Sequence, residues 1–97
     1  MTQQQLHTLR ERVAAGHTAD FSLRGVPYII QQENNKGWDY ISIWRLEPRA
    51  ACLARSLFDI FDGIDGGTVD DLLSQPCLDG KSFLDCLPEI RPLFPGA

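Results

Sequence analysis

Three sets of residues in this sequence have types that could do chemistry, and the first is Gly80-Lys81-Ser82, the ending of a phosphate-binding loop. Such a loop requires a glycine five positions before Gly80, in a glycine-rich turn that follows a buried strand. Gln75 occupies that position and Pro76 comes next. We therefore predict no nucleotide site and interpret the segment as a turn into a final helix.

The second set is the aspartate-rich segment 59–71, which suggests calcium. A calcium loop needs oxygen ligands at its first, third and fifth positions. Counting from Asp59, the third position is Phe61 and the fifth is Gly63, and counting from Asp62 also fails. These acids are better interpreted as turn residues and as the negatively charged first turn of a helix.

The third set comprises nucleophiles and metal ligands. His7 and His17 have no sequence-local partner, and we expect both to be solvated. Cys52, Cys77 and Cys86 are odd in number and lack the Cys-x-x-Cys spacing of zinc and redox sites. We expect reduced thiols, no metal, no cofactor and no catalytic residue.

The charge distribution bears on the class of partner. The 97 residues carry a net charge of −4, and residues 1–48 balance with five basic and five acidic side chains, so the second half supplies the charge. Nucleic-acid binding needs clustered Lys and Arg, so we expect no nucleic-acid partner. The polar start "MTQQQLHTLRER" and the short apolar runs predict neither a secretion signal nor a membrane span, and hence a cytoplasmic protein.

Residues 2–15 have the pattern of an amphipathic helix. Thr2 and Gln5 have the spacing of a capping box, and Gly16 predicts the end of the helix. A narrow apolar stripe recurs at intervals of three and four, at Leu6, Leu9 and Val13.

Two hairpins are predicted next. The Arg24-Gly25 pair has the chemistry of a two-residue turn, which places Leu23 opposite Val26. A four-residue loop at 34–37 then leads into the strand "WDYISIWR" and places Ile30 opposite Ile41.

This pairing predicts two chemically different sheet faces, because neighbouring side chains of a strand point in opposite directions. The aliphatic face is expected to form the core, with Phe21, Leu23, Val26, Tyr28, Ile30, Ile41 and Ile43. The aromatic face is expected to be a protein-interaction surface with arginines at its rim, comprising Ile29, Trp38, Tyr40, Trp44, Arg24 and Arg45. The alternative is that a helix covers the aromatic face and makes it a second core layer.

The second half predicts mainly helix. Apolar residues at helical spacing after Pro48 favour a helix over 48–61, with a fourth strand over 52–58 as the alternative. Thr68 predicts the cap of a short helix that ends at Pro76, and 81–90 offers a last helical stretch. We expect residues 92–97 to be a loose tail of a single domain, 1–97.

The order of these signals resembles a group of small, uncharacterised bacterial proteins. The matching positions are Phe21, Gly25, Tyr28 and Ile30 in the hairpin, followed by the segment 79–83, Asp-Gly-Lys-Ser-Phe. The resemblance covers roughly residues 19–90 and implies a leading helix, a hairpin and a closing helix, with an extended segment near 48–67. It implies no activity.

The sequence therefore predicts an α+β domain, with an antiparallel sheet of three or four strands, an N-terminal helix and two to three C-terminal helices mainly on one face. We interpret it as a non-enzymatic, cytoplasmic binding or regulatory module whose partner is another protein or a second copy. Two alternatives are a ligand-binding protein or enzyme with a pocket near Tyr28 or His17, and an acidic inhibitor that masks a basic partner through residues 59–89.

Overall fold

The computed structural model describes residues 1–57 and 67–96, in which helices lie on one face of an antiparallel sheet. The elements are α1 (Gln3–Ala14), β1 (Ala19–Leu23), β2 (Val26–Asn35), β3 (Trp38–Arg45), β4 (Ala51–Leu57), α2 (Gly67–Leu73) and β5 (Ile90–Pro92). The strand order is β4-β3-β2-β1-β5, and each neighbouring pair is antiparallel. The predicted α+β class is confirmed, with five strands in place of the expected three or four.

Helix α1 begins and ends as its sequence predicts. The Thr2 hydroxyl accepts a hydrogen bond from the Gln5 N–H at 3.1 Å, and the Gln5 side chain accepts one from the Thr2 N–H at 2.8 Å. At the other end the Gly16 and His17 N–H groups donate to carbonyls of the last turn, and Gly16 has a φ of 89° that glycine adopts without strain. The stripe of Leu6, Leu9 and Val13 is buried.

The first hairpin has the predicted register, with Leu23 opposite Val26 and Phe21 opposite Tyr28. The second hairpin differs, because its turn contains two residues, Lys36-Gly37, instead of four. Ile30 therefore faces Ile43 and not Ile41. The error is two residues, an even number, so the apolar and aromatic side chains of β2 and β3 keep their predicted faces.

The turn at Lys36-Gly37 gives a first test of the fold. Gly37 has a φ of 82° and open space around its missing Cβ, so only the backbone conformation opposes a side chain there. We expect Gly37→Ala to lower the free energy of unfolding by about 1–2 kcal/mol, and Gly37→Asn by less, because Asn tolerates this region. Urea denaturation of both variants checks the order, and equal losses would contradict this explanation.

The helix predicted over 48–61 is wrong for residues 51–57, where the alternative of a fourth strand is correct, and residues 58–61 lie outside the described residues. Residues 51–57 form β4 beside β3, where they pair with the backbone groups that β3 would otherwise leave open. Ala54 reaches the core while Cys52 and Arg55 are exposed, so the segment has a strand's alternation. Tertiary pairing here outweighs the helix propensity of Ala, Leu and Arg.

The final helix predicted over 81–90 is also wrong. The Ser82 and Asp85 side chains each accept the backbone N–H of the other residue, at 3.0 and 3.3 Å, which closes one turn. Only a 3-10 helix, Leu87–Glu89, follows. Pro88 has no N–H to donate, so an α-helix does not continue through it.

Residues 90–94 are held against the sheet, so this part of the segment 92–97 is not the loose tail that the sequence predicts. Strand β5 pairs with β1, and the Leu93 N–H donates to the Asp20 carbonyl at 2.9 Å. Phe94 is buried in the core. The sequence signal was weak because β5 has three residues and ends in Pro92, a residue that sheets accept at an edge.

The core lies between the helices and the face of the sheet formed by the predicted aliphatic residues. Six of those seven side chains are buried, and Val26 packs against the cluster while partly exposed. Helix α2 adds Val69, Leu72 and Leu73 from the same side, and an ion pair of 2.9 Å joins Arg10 of α1 to Asp70 of α2. Both helices therefore cover this inner face.

Candidate docking face

The outer face of the sheet is the face directed away from α1 and α2. In rows across β2, β3 and β4 it places Glu33 beside Tyr40 and Leu57, Gln31 beside Ser42 and Arg55, and Ile29 beside Trp44 and Cys52. Trp38 lies at one end of these rows, next to the Lys36-Gly37 turn. The predicted aromatic residues thus share one face, opposite Ile41 and Ile43.

Trp44 lies across the outer face and is half-buried. Its indole Nε1 donates to Glu33 Oε1 at 2.6 Å and to Ser42 Oγ at 2.9 Å. Ser42 is fully buried although it belongs to the outer face, because the indole and its neighbours enclose it. Trp44 therefore stabilises the fold, because its indole is hydrogen-bonded within the sheet and encloses Ser42.

Glu33 is the centre of a polar network on this face. Besides Trp44, Gln31 Nε2 donates to Oε1 at 3.3 Å, and Arg55 Nη2 lies 3.2 Å from Oε2, reaching across β3. Burial raises the pKa of the Glu33 carboxyl, but hydrogen bonds from Ser42, Trp44 and Gln31 and the charge of Arg55 outweigh it, so the pKa lies below its ordinary value of 4.5. The carboxylate is held ionised and paired.

Arg55 also covers an aromatic ring. Its guanidinium carbon lies 5.9 Å from the centre of the Tyr40 ring, within the range of a cation–π contact. Tyr40 is half-buried as a result, and it is fixed between Arg55 and its cross-strand neighbour Glu33.

Trp38 and Leu57 are the exposed apolar side chains of the outer face. They are 62% and 57% exposed, the two highest values among large apolar residues of the described chain. Leu57 is directly opposite Tyr40, and Trp38 precedes Tyr40 by two positions, so Leu57 and Trp38 are diagonal neighbours at a distance of roughly 7–8 Å. Together they form one apolar end of the outer face.

The two predicted rim arginines lie elsewhere. Arg24 is in the β1–β2 turn and pairs with Glu89 at 3.0 Å, away from Trp38. Arg45 occupies an inner-face position opposite Tyr28, and its Nε is buried without a hydrogen-bond partner among the described residues. Neither arginine lies beside the exposed Trp38 and Leu57.

Sequence reasoning missed three residues of this face, namely Glu33, Arg55 and Leu57. Strand parity would have found Glu33, since it shares its face with Ile29. Arg55 and Leu57 were missed because the segment that contains them was expected to be a helix.

The free backbone edges of the sheet are partly closed in the described chain. A bulge interrupts the pairing of β4 between Ile43 and Trp44, and Gln75 Nε2 donates to the Arg55 carbonyl at 3.3 Å and to Ser56 Oγ at 2.8 Å. The other edge, β5, has three residues, including Pro92. These features discourage another strand from pairing with either edge.

The sequence offered a pocket near Tyr28 or His17 as an alternative, but a hollow lies along α1. Tyr28 is stacked on Phe21, with ring centres 5.1 Å apart, and His17 is exposed in the loop after α1. A hollow of about 300 Å³ instead lies along α1, beside His7, Arg10, Glu11, Ala14 and Ala15. His7 is paired there with Glu11, one turn along the helix.

The sequence-predicted chemical motifs have structural roles where they are described. Asp79 and Gly80, with φ of 54° and 83°, make a two-residue turn that brings Leu78 and Lys81 together.

The aspartates at 59, 62 and 65 lie outside the described residues. Within the described chain, no three His, Cys, Asp or Glu side chains are grouped as a metal would require, and no helix has the length and apolarity to span a membrane.

Comparison with known protein families, curated proteins and solved structures found no match to this chain. The resemblance to small bacterial proteins therefore stays a prediction.

Proposed function

We propose that this chain is a non-enzymatic, cytoplasmic protein-binding module that acts through the outer face of its sheet. The observation that carries the proposal is the pair of exposed side chains, Trp38 and Leu57, on a face that the described helices leave uncovered. Exposing large apolar groups to water is unfavourable, and such patches are typical of docking surfaces.

The chemistry of the outer face suits a protein partner. Trp, Tyr and Arg are the side chains most often found at the energetic centres of interfaces, and Trp38, Tyr40 and Arg55 are neighbours here. The Glu33 network fixes Tyr40, Trp44 and Arg55 before binding, so little side-chain freedom is lost on docking.

A matched pair of variants tests this proposal. Leu57 and Leu93 are 57% and 53% exposed, so Leu→Ala removes similar surface at each, but only Leu57 adjoins Trp38 at the apolar end, whereas Leu93 follows β5 at the far edge of the sheet. We expect a Leu57→Ala bait to lose its bound protein at least tenfold relative to wild type, and a Leu93→Ala bait to retain it. Quantitative cross-linking and mass spectrometry in the native host measure the difference.

Trp38→Ala provides a second, independent variant on the same face, with the exposed Leu46→Ala as its control. Both test variants should keep the wild-type circular dichroism spectrum, because neither side chain is in the core. If all four baits retained the same proteins to the same extent, the outer face would not be a docking surface.

A further inference from the structure

We infer that the protein docked on the outer face is a second copy of this chain, in a twofold face-to-face pair. The inference rests on the proposed function and names its partner. Four features of the described residues support it: the charge of the outer face, its size, the half-burial of its central aromatic rings and the state of the sheet edges.

Counted over the described residues, the outer face is electrically balanced although the chain is not. Glu33 is paired with Arg55, and the other charged positions of this face are Asp20 on β1 and Arg91 on β5, one of each sign. The acids of α2 lie behind the opposite face. Two copies with a net charge of −4 repel each other over most orientations, and a balanced face is where that repulsion is smallest.

A face that carries both signs and an exposed apolar end is complementary to itself. In a twofold pair the same patch supplies both sides of the contact, so each acid of one copy can approach a base of the other. A partner of strongly single charge would leave half of these groups unmatched.

The size of the face fits a pair of modest affinity. Five strands spaced ~4.8 Å apart, with a mean length of about seven residues at ~3.3 Å per residue, give a projected area of roughly 500 Å². Side chains roughen that face, so two copies together bury on the order of 1,200 Å², the lower limit of specific interfaces. We expect a dissociation constant on the order of 10 μM.

The geometry favours stacking of faces over joining of edges. Two sheets pack face to face at about 10 Å, which is compatible with the half-buried Trp44 and Tyr40 side chains. Pairing through β4 would have to break the contact of Gln75 with the Arg55 carbonyl and pass the bulge.

Sedimentation equilibrium of the purified full chain, from about 1 μM to about 1 mM, tests this inference. Wild type should pass from monomer to dimer across that range. Leu57→Ala should raise the dissociation constant at least tenfold, because each substitution removes two leucines from a twofold contact. Leu93→Ala, at the rim beyond β5 and away from the apolar end, should leave the constant unchanged within a factor of two.

A mixture provides the signature of symmetry. The dimer of wild type with Leu57→Ala loses only one leucine, so its dissociation constant should lie between those of the two homodimers. Trp38→Ala repeats the test with a second side chain, and unchanged thermal melting of dilute monomer confirms that each variant is folded.

The outcomes separate the two proposals. Wild type that stays monomeric to about 1 mM, while the Leu57→Ala and Leu93→Ala baits still differ in captured protein, overturns the second-copy inference and leaves the binding proposal standing. A dimer that is insensitive to both Leu57→Ala and Trp38→Ala also overturns it. Monomeric wild type together with indistinguishable baits overturns both.

Discussion

Phe21→Ala lowers the free energy of unfolding by about 3–5 kcal/mol, the largest single effect we expect in this fold. Phe21 is fully buried at the centre of β1, with its ring stacked on Tyr28 at 5.1 Å and in edge contact with Phe83 at 5.0 Å. The substitution opens a cavity and removes both aromatic contacts. For a domain of this size the loss is a large share of the total stability of about 5–15 kcal/mol.

Urea denaturation followed by circular dichroism measures this loss. Phe21→Leu keeps an apolar side chain of intermediate volume and should cost less than half as much, and Leu93→Ala, on the surface, should change stability by about 0.5 kcal/mol or less. A loss below about 1 kcal/mol for Phe21→Ala would show that the ring does not lie where β1 places it.

Glu33→Ala is expected to lower the free energy of unfolding by about 2 kcal/mol, because it removes a charged acceptor shared by several donors. Trp44 would keep only its bond to Ser42, and Arg55 would lose its ion pair across β3. Glu47→Ala, at an exposed acid in the loop after β3, is the control and should be nearly neutral.

The Glu33 contribution depends on pH in a definite direction. Its folded-state pKa lies below 4.5, so the carboxylate adds stability that is fully present above pH 4.5 and is lost as the pH falls through the lower folded-state pKa. The difference in unfolding free energy between wild type and Glu33→Gln should therefore be larger at about pH 7 than at about pH 3. A difference that stays constant over this range would exclude Glu33 as the titrating group.

The parts of the fold that could be predicted are those specified by neighbours in the sequence. The cap of α1 at Thr2 and the turn at Arg24-Gly25 each depend on a few adjacent residues, and both are confirmed. The predicted pairing of the second hairpin was wrong by two residues. Asn34 and Asn35 are typical turn residues, yet they extend β2.

The parts that could not be predicted depend on distant partners. Residues 51–57 become a strand because β3 provides an edge, and residues 90–92 do so because β1 provides the other. Neither edge is visible in the local pattern, since Ala and Leu favour a helix and three residues are too few for a periodic signal.

The candidate face was predicted through strand parity alone. That reasoning placed Trp38, Tyr40 and Trp44 together, but it could not rank them by exposure. The two hydrogen bonds of Trp44 make it a structural residue as well, so Trp38 and Leu57 are better probes of docking.

The bulge in β4 and the contact of Gln75 with the edge of β4 affect how many copies of the chain can assemble. Backbone pairing between exposed edge strands can repeat without limit and yields filaments. Twofold stacking uses the same face of both copies, so that neither copy has that face free for a third. Growth by strand addition is therefore disfavoured along the described part of β4, and the proposed twofold pair should not grow into a filament even when the protein is concentrated.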